Sequence, residues 1–303
     1  MHADQHLLTY FHALIMGLLQ GISELFPISS LGHSVVLPQL VGWHQLAQAQ
    51  SAKSSYFLSF LVGLHVATAL ALFIFYRHDW IRIISAVIKS IFTRRIDNFD
   101  AHFGWLLIVA TIPAGIVGLL FENLFRVLFA KPLAAAIFLF INGLILLVGE
   151  RARHAEVLRS EKRQHSRTTP ILQEDSRTIS ELNFKEAGIV GVAQIFALLA
   201  GISRSGITMV AGLLRGLTHE DAARFSFMLA TPIIAAAGLY KIPHLFSSAA
   251  AGVRPQILIG SIAAFVAAYL SVRFLTRYFK ANNLYPFAAY CLAFGSLLIV
   301  RFI

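Results

Sequence analysis

The sequence is poor in cysteine and in charge, and each shortage excludes a class of protein. The single cysteine, Cys291, rules out an internal disulfide and a cysteine-based zinc site. Only 13% of the 303 residues are charged, whereas a soluble domain carries about 25%. The opening residues also lack the basic region and cleavage site of a secretory signal peptide, so we expect no cleaved leader. Neither a soluble globule nor a disulfide-rich secreted domain fits this chain.

Long apolar runs fill the chain instead, and hydrophobic residues make up 57% of it. Each run approaches the ~20 residues that a helix needs to cross about 30 Å of hydrocarbon. The sequence therefore predicts an all-α polytopic membrane protein. Five runs without Lys, Arg, Asp or Glu are Phe57–Phe75, Trp105–Phe121, Pro132–Gly149, Pro255–Val272 and Leu284–Val300.

Most basic residues lie between the apolar runs. Of the 25 lysines and arginines, 16 lie in segments 77–95, 150–185 and 273–280, and 5 lie in segments 45–55, 122–131 and 240–254. Cytoplasmic loops carry the excess of positive charge, so we predict that the first three segments are cytoplasmic and the other three face outward. The basic residues behind the net charge of +10 therefore set the orientation among membrane lipids by their placement in loops, and we expect no nucleic-acid partner.

The chain divides into two related halves. The polar segment 150–183 is predicted to be a cytoplasmic linker between residues 1–149 and 184–303. Placing Gln20 over Gln194 aligns "QGISELFPISSLGH" (20–33) with "QIFALLAGISRSGI" (194–207) at a glutamine, an Ile-Ser pair and a glycine. Because the charge bias gives equivalent helices opposite directions, we predict an inverted-topology repeat.

Each half contains apolar pieces too short to cross the membrane. Ala187–Ala200 and Ile207–Leu217 must begin and end on the cytoplasmic side, which favours a re-entrant hairpin with "GISRSG" at its tip. The first half is expected to place "FPISSLGH" at a matching tip from the outer face. Non-helical backbone at membrane depth survives only in protein or beside a wet cavity. We therefore expect the two tips to meet at a binding site.

The first tip carries acid–base and nucleophilic groups. Gln20 and Glu24 are four residues apart and share one face of a helix. Ser29, Ser30 and His33 follow closely in the sequence and add two hydroxyls and an imidazole. An intramembrane carboxylate is expensive and usually functional. Ser29 could also simply cap the following helix.

The second tip carries groups suited to a phosphate. Arg204 offers a planar fork of donors for bidentate phosphate contact, although it could also pair with Glu24 as a structural ion bridge. His65, inside an apolar run, could face the site or be a satisfied core histidine. Neighbouring hydroxyls and glycines that could contact the same anion are Gly201, Ser203, Ser205, Gly206 and Thr208.

Together the motifs "QGISELFPISSLGH" and "AGISRSGIT" resemble those of the undecaprenyl-diphosphate phosphatases, the bacitracin-resistance family. The resemblance implies six membrane-spanning helices and two re-entrant helical pairs. It also implies hydrolysis of undecaprenyl diphosphate at the outer side of the bacterial inner membrane, which recycles a lipid carrier for cell-wall synthesis. The motif positions are Gln20, Glu24, Ser30 and His33, then Gly201, Ser203, Arg204, Ser205 and Thr208. The sequence departs from the family with an amide at Gln20, where Glu is the other option, and with Ala200 in place of the usual proline.

For such a phosphatase we expect Ser30 to be the nucleophile and His33 its proton-transfer partner. Direct attack by water, with His33 or Glu24 as base, is the alternative. Glu24 and Gln20 offer oxygen ligands to a divalent cation, Mg²⁺ or Ca²⁺.

Inverted repeats are also a transporter architecture, so a polyprenyl-phosphate flippase is the competing hypothesis. A structural scaffold would leave the buried ionisable residues without a purpose, and the oligomeric state stays open.

Overall fold

The computed structural model describes residues 8–51, 56–121, 131–165, 177–246 and 248–303. In these ranges the chain is helical apart from connecting segments and one isolated bridge between Arg177 and Leu217. The helices are α1 (Tyr10–Ser23), α2 (Ser30–Leu40), α3 (His44–Ser51), α4 (Tyr56–Phe75), α5 (Arg77–Thr93), α6 (Phe99–Leu120), α7 (Pro132–His165), α8 (Phe184–Ile195), α9 (Arg204–Leu213), α10 (His219–Lys241), α11 (Ser248–Ala251), α12 (Arg254–Tyr278) and α13 (Tyr285–Phe302). Three short 3₁₀ segments cover Ile179–Glu181, Phe196–Leu198 and Ile242–Phe246.

Six of the described helices are long and apolar enough to cross a membrane. They are α4, α6, the first part of α7 (Pro132–Ala155), α10, α12 and α13. This confirms the prediction of an all-α polytopic membrane protein with about six spanning helices. Each of them also leaves large hydrophobic residues exposed, as expected of helices that face lipid, although in α10 these are only Leu239 and Tyr240 near its end.

Two pairs of short helices occupy equivalent places in the two halves. Helices α1 and α8 begin at Tyr10 and Phe184, and α2 and α9 begin at Ser30 and Arg204. Both pairs of starts coincide when Gln20 is placed over Gln194. The preceding serines, Ser29 and Ser203, act as N-caps, and the hydroxyl of each accepts the backbone N–H three positions on, as the N-cap preference predicts. The re-entrant course of these pairs through the membrane stays a prediction.

Equivalent glycines let the short helices approach their neighbours closely. At Gly17 of α1 an added Cβ would meet the backbone of Gly260 on α12, and at Gly191 of α8 it would meet that of Ala110 on α6. Small residues at such crossings allow the backbones to touch, as in other helical membrane proteins. Helix α1 of the first half thus packs on the second half, and α8 packs on the first. This exchange of partners brings the two tips together.

The polar segment 150–183 is partly helical. Its first part, 150–165, continues α7 to His165, the stretch 166–176 lies outside the described ranges, and a capping box between Asn183 and Glu186 starts α8. Arg177 binds the Glu186 carboxylate at 2.7 Å. Polar sequence did not end the helix at Gly149, because Arg, Glu, Lys and Ala are good helix formers in water as well as near a membrane.

Candidate active site

The two tips and the spanning helices enclose a cavity of about 380 Å³. The first tip contributes Glu24 and Ser30 to its wall, and the second contributes Ser203 and Arg204. Apolar side chains of α4 and α10, such as Leu61 and Ile233, form much of the remaining wall. The cavity therefore combines a small polar centre with an apolar surround, which is how small-molecule sites are usually built.

Glu24 lies at the centre of this polar group. It follows the last residue of α1 and is buried, with 8% of its surface exposed. Its carboxylate accepts hydrogen bonds from the Ser30 hydroxyl (2.5 Å), the Gln20 amide (3.1 Å) and the Arg204 guanidinium (3.3 Å). A buried charge needs such partners. Because the Ser30 hydroxyl points its proton at Glu24, the carboxylate is placed to accept that proton.

Arg204 combines an ion pair with an unused donor. One terminal nitrogen, Nη2, binds Glu24, and the other, Nη1, donates to the carbonyl of Ser226 at 3.2 Å. The Nε–H is buried and has no partner among the described residues. The ion bridge to Glu24 that the sequence left open is thus present. An unsatisfied N–H on a residue of the cavity wall also favours an anion that accepts from it.

His33 lies close to the tip but faces away from Ser30. Its Nδ1–H donates to the carbonyl of Ser29 at 2.7 Å, and its Nε2 lies 2.7 Å from the Tyr290 hydroxyl on α13. The imidazole stacks on the rings of Tyr290 and Phe294. Since both ring nitrogens are engaged elsewhere, this geometry gives the proton-acceptor position beside Ser30 to Glu24.

Ser29 joins the two tips. Its hydroxyl accepts the backbone N–H of Gly201 at 3.1 Å as well as that of Gly32. Ser29 has a φ of +71° and Gly201 one of +113°, and at Gly201 a side chain would collide with α7. Left-handed backbone of this kind favours glycine and costs other residues energy. Gly201 is therefore a position where the second tip requires glycine, directly after Ala200, which stands in place of the usual proline.

The remaining hydroxyls of the second motif bond within the protein. The Ser205 hydroxyl lies 3.0 Å from that of Ser203 and donates to the Phe26 carbonyl at 3.3 Å. The Thr208 hydroxyl contacts the Arg204 carbonyl and the Ser226 hydroxyl, each at 2.7 Å. Gly206 packs against Leu146 and Pro27. Of the residues predicted to bind phosphate, the structure thus brings Ser29, Ser203 and Arg204 to the cavity, and it places Gly201, Ser205, Gly206 and Thr208 behind it.

Two further polar side chains line the cavity, although neither belongs to the irregular segment at either tip. His65 donates its Nδ1–H to the carbonyl of Leu61, and its Nε2 lies 3.9 Å from Glu24. Of the two predictions for this residue, a side chain facing the site and a satisfied core histidine, the structure favours the first. Gln194 of α8 also lines the cavity, and its amide oxygen has no partner among the described residues. The internal repeat could have identified Gln194 as a site residue, since position 194 is the equivalent of Gln20.

The donor set bears on the expected divalent cation. The Gln20 amide nitrogen donates to Glu24, its oxygen is buried without a partner in the described chain, and Gln20 is not part of the cavity wall. No cluster of three or more His, Cys, Asp or Glu side chains occurs in the described ranges. One carboxylate and one amide oxygen would supply only part of the ligand shell of Mg²⁺, which keeps several waters and binds substrate phosphates rather than an all-protein cage. Ca²⁺, with six to eight oxygen ligands, would need still more from water and substrate.

The fold and this site define a class: a multi-pass membrane protein with a buried centre equipped for nucleophilic and acid–base chemistry on an anionic group. The family model described as bacitracin resistance protein BacA matches residues 13–297. The chain belongs to this family.

Relatives named as enzymes match over nearly the full chain. Undecaprenyl-diphosphatase 2 of Frankia alni is 49% identical over 98% of this chain and 99% of its own length. Undecaprenyl-diphosphatase of Mycolicibacterium paratuberculosis is 51% identical over 97% of each chain. Undecaprenyl-diphosphatase 2 of Burkholderia ambifaria is 42% identical over 93% of each. The transporter hypothesis finds no support in these comparisons.

Proposed function

We propose that this protein is a membrane phosphatase that hydrolyses undecaprenyl diphosphate to undecaprenyl phosphate and inorganic phosphate. The observation that carries the proposal is that Ser30, Glu24 and Arg204 meet at one cavity. Relatives named undecaprenyl-diphosphatase are 49% and 51% identical to this chain over nearly its full length. Recycling of this lipid carrier serves cell-wall synthesis and gives the family's bacitracin resistance.

In the proposed first step the Ser30 oxygen attacks the terminal phosphorus and its proton passes to Glu24. The bond from that phosphorus to the bridging oxygen breaks, and the lipid monophosphate leaves. Water then attacks the phosphoserine, releases inorganic phosphate and restores the Ser30 hydroxyl. Direct attack by water with Glu24 as base is the alternative, and it uses the same two groups.

Arg204 supplies positive charge where negative charge accumulates. Phosphoryl transfer depends mainly on positioning and on electrostatic stabilisation. The guanidinium can offer its free Nε–H to the phosphoryl group while Nη2 stays near Glu24. A divalent cation, Mg²⁺ or Ca²⁺, held by Glu24 and Gln20 with oxygens of the diphosphate, would neutralise further charge on the substrate. The apolar wall would receive the first isoprene units next to the head group.

The proposed location is the bacterial inner membrane, with the cavity open to the outer face. Two polar residues of the cavity wall, Gln50 and Lys241, belong to segments 45–55 and 240–254, which the charge bias assigns to the outside. The substrate's head group would then be reached from the outer leaflet.

A phosphate-release assay on the purified chain in detergent tests the proposal. Detergent removes the second compartment, so release of phosphate from undecaprenyl diphosphate requires hydrolysis and not transport. We expect turnover by the wild type, a loss with a chelator that magnesium restores, and background release by Ser30→Ala.

The matched control is Ser90→Ala, which removes a hydroxyl bonded to Trp105 between α5 and α6 and should keep wild-type turnover. Absence of release by the folded wild type would refute the phosphatase. Wild-type turnover by Ser30→Ala would refute the serine nucleophile and assign the attack to water.

A further inference from the structure

One strongly polar side chain lies inside the apolar run of α7. Asn142 is completely buried and is surrounded along its helix by Ile141, Leu144 and other aliphatic residues. A buried amide is costly unless its donors and acceptor are paired. Its partners therefore indicate what it does.

The Asn142 amide bonds to both tips at once. Its nitrogen donates to the carbonyl of Pro27 at 3.0 Å, in the first tip, and its oxygen accepts the N–H of Ser203 at 2.9 Å, in the second. The Cys291 sulfur of α13 lies 3.4 Å from the same nitrogen. A spanning helix thus holds two segments that belong to opposite halves of the sequence.

These two contacts adjoin the reacting groups. Pro27 lies three positions before Ser30, and Ser203 directly precedes Arg204. The direct tip-to-tip bonds, such as that from Gly201 to Ser29, fix one tip against the other. Asn142 in addition fixes both tips to α7, a helix that packs on α13 along much of its length. Asn142 itself lies behind the tips, outside the cavity wall.

We infer that Asn142 is a positioning residue that sets the distance between the Ser30 hydroxyl and the Arg204 guanidinium. This inference rests on the proposed phosphatase activity. It assigns to Asn142 no contact with substrate. Its loss should therefore impair the chemical step more than substrate binding, because the apolar wall and Arg204 remain available to the lipid.

Asn142→Leu tests the inference, since leucine has a similar volume and makes no hydrogen bonds. For undecaprenyl diphosphate in detergent we expect kcat to fall about 10²-fold, the effect of a small misplacement of reacting groups, with a much smaller change in KM. Ser90→Ala again serves as control, because it removes an interhelical hydrogen bond between α5 and α6, and Ser90 is not part of the cavity wall. It should leave kcat unchanged.

A double-mutant cycle with Arg204→Lys distinguishes positioning from general destabilisation. Lysine keeps the charge but loses the planar fork, so alignment of the fork no longer matters. Asn142→Leu should then cost far less in the Arg204→Lys background than in the wild type. Ser90→Ala should be additive with Arg204→Lys within about twofold, as independent sites are.

Two outcomes would contradict the inference about Asn142 without contradicting the proposed phosphatase activity. A folded Asn142→Leu protein with wild-type kcat, or a full multiplicative loss in the Arg204→Lys background, would overturn the inference. If Asn142→Leu does not fold, Asn142→Asp enters the same cycle, since it keeps an acceptor for the Ser203 N–H. Wild-type turnover, measured in parallel, tests the proposed function separately.

Discussion

At the scale of single residues, the site depends on one carboxylate shared by three donors. Glu24 holds the Ser30 hydroxyl, the Gln20 amide and Arg204 together. The same carboxylate therefore holds the candidate nucleophile, is the proposed acceptor of its proton and pairs with the guanidinium. Such residues act as a unit, so their effects on rate should not add.

Glu24→Gln should keep the side-chain shape while removing the charge and the base. We expect kcat to fall by at least about 10²–10³, the cost of one lost electrostatic contact at a reacting centre. Stability should fall as well, because Arg204 loses its anionic partner, and breaking a buried pair costs about 3–5 kcal/mol. Phosphate release and thermal unfolding in detergent measure both effects.

The matched control for this carboxylate-to-amide change is Glu220→Gln. Glu220 lies at the exposed start of α10, 3.5 Å from Lys280, and exposed pairs contribute about 0–1 kcal/mol. It should change neither activity nor unfolding. If Glu24→Gln behaved like this control, the assignment of Glu24 to the site would be wrong.

At the scale of helices, close approach of α8 to α6 positions the second tip. The Cβ of an alanine at position 191 would lie 2.9 Å from the Cα of Ala110. Gly188, one turn earlier in α8, has open space around it. The two glycines thus offer the same substitution in opposite surroundings.

We predict that Gly191→Ala lowers both thermal stability and turnover, because overpacking costs about 1–3 kcal/mol and displaces α8. Gly188→Ala should instead be neutral or stabilising by up to about 1 kcal/mol, since alanine is the better helix former. Unfolding temperature and phosphate release compare them. Equal behaviour of the two variants would show that α8 is not held by this contact.

The sequence predicted more of the helices than of the contacts between them. Apolar length marks a spanning helix, and the alignment of Gln20 with Gln194 relates the short helices of one half to those of the other. The Tyr290 partner of His33 comes from the last helix of the chain, and Asn142 is one amide in an apolar run. Local sequence pattern carries no information on such distant pairs, so the Tyr290 contact could not be predicted. The role of His33 as proton-transfer partner of Ser30 stays a prediction.

At the scale of the whole molecule, the central prediction is that the two halves have opposite orientations. It can be tested with single cysteines in a Cys291→Ala background, labelled by a membrane-impermeant maleimide. Arg94→Cys and Lys280→Cys should react only from the cytoplasmic side, whereas Val41→Cys and Phe246→Cys should react from outside. All four positions are exposed. Arg94 and Phe246 both follow the first spanning helix of their half, so labelling of Arg94→Cys and Phe246→Cys from one side would contradict the inverted arrangement.

The pairing of Glu24 with Arg204 also has a consequence for the affinity of the cavity for charged ligands. Glu24 and Arg204 cancel one another's charge before any lipid arrives, and Lys241 adds a positive side chain to the wall of the same cavity. A diphosphate head brings more negative charge than one lysine neutralises, and the proposed divalent cation would neutralise part of the rest. Affinity for the lipid should then rise with the cation concentration, and affinity for the cation should rise equally with the lipid, because thermodynamic linkage is reciprocal.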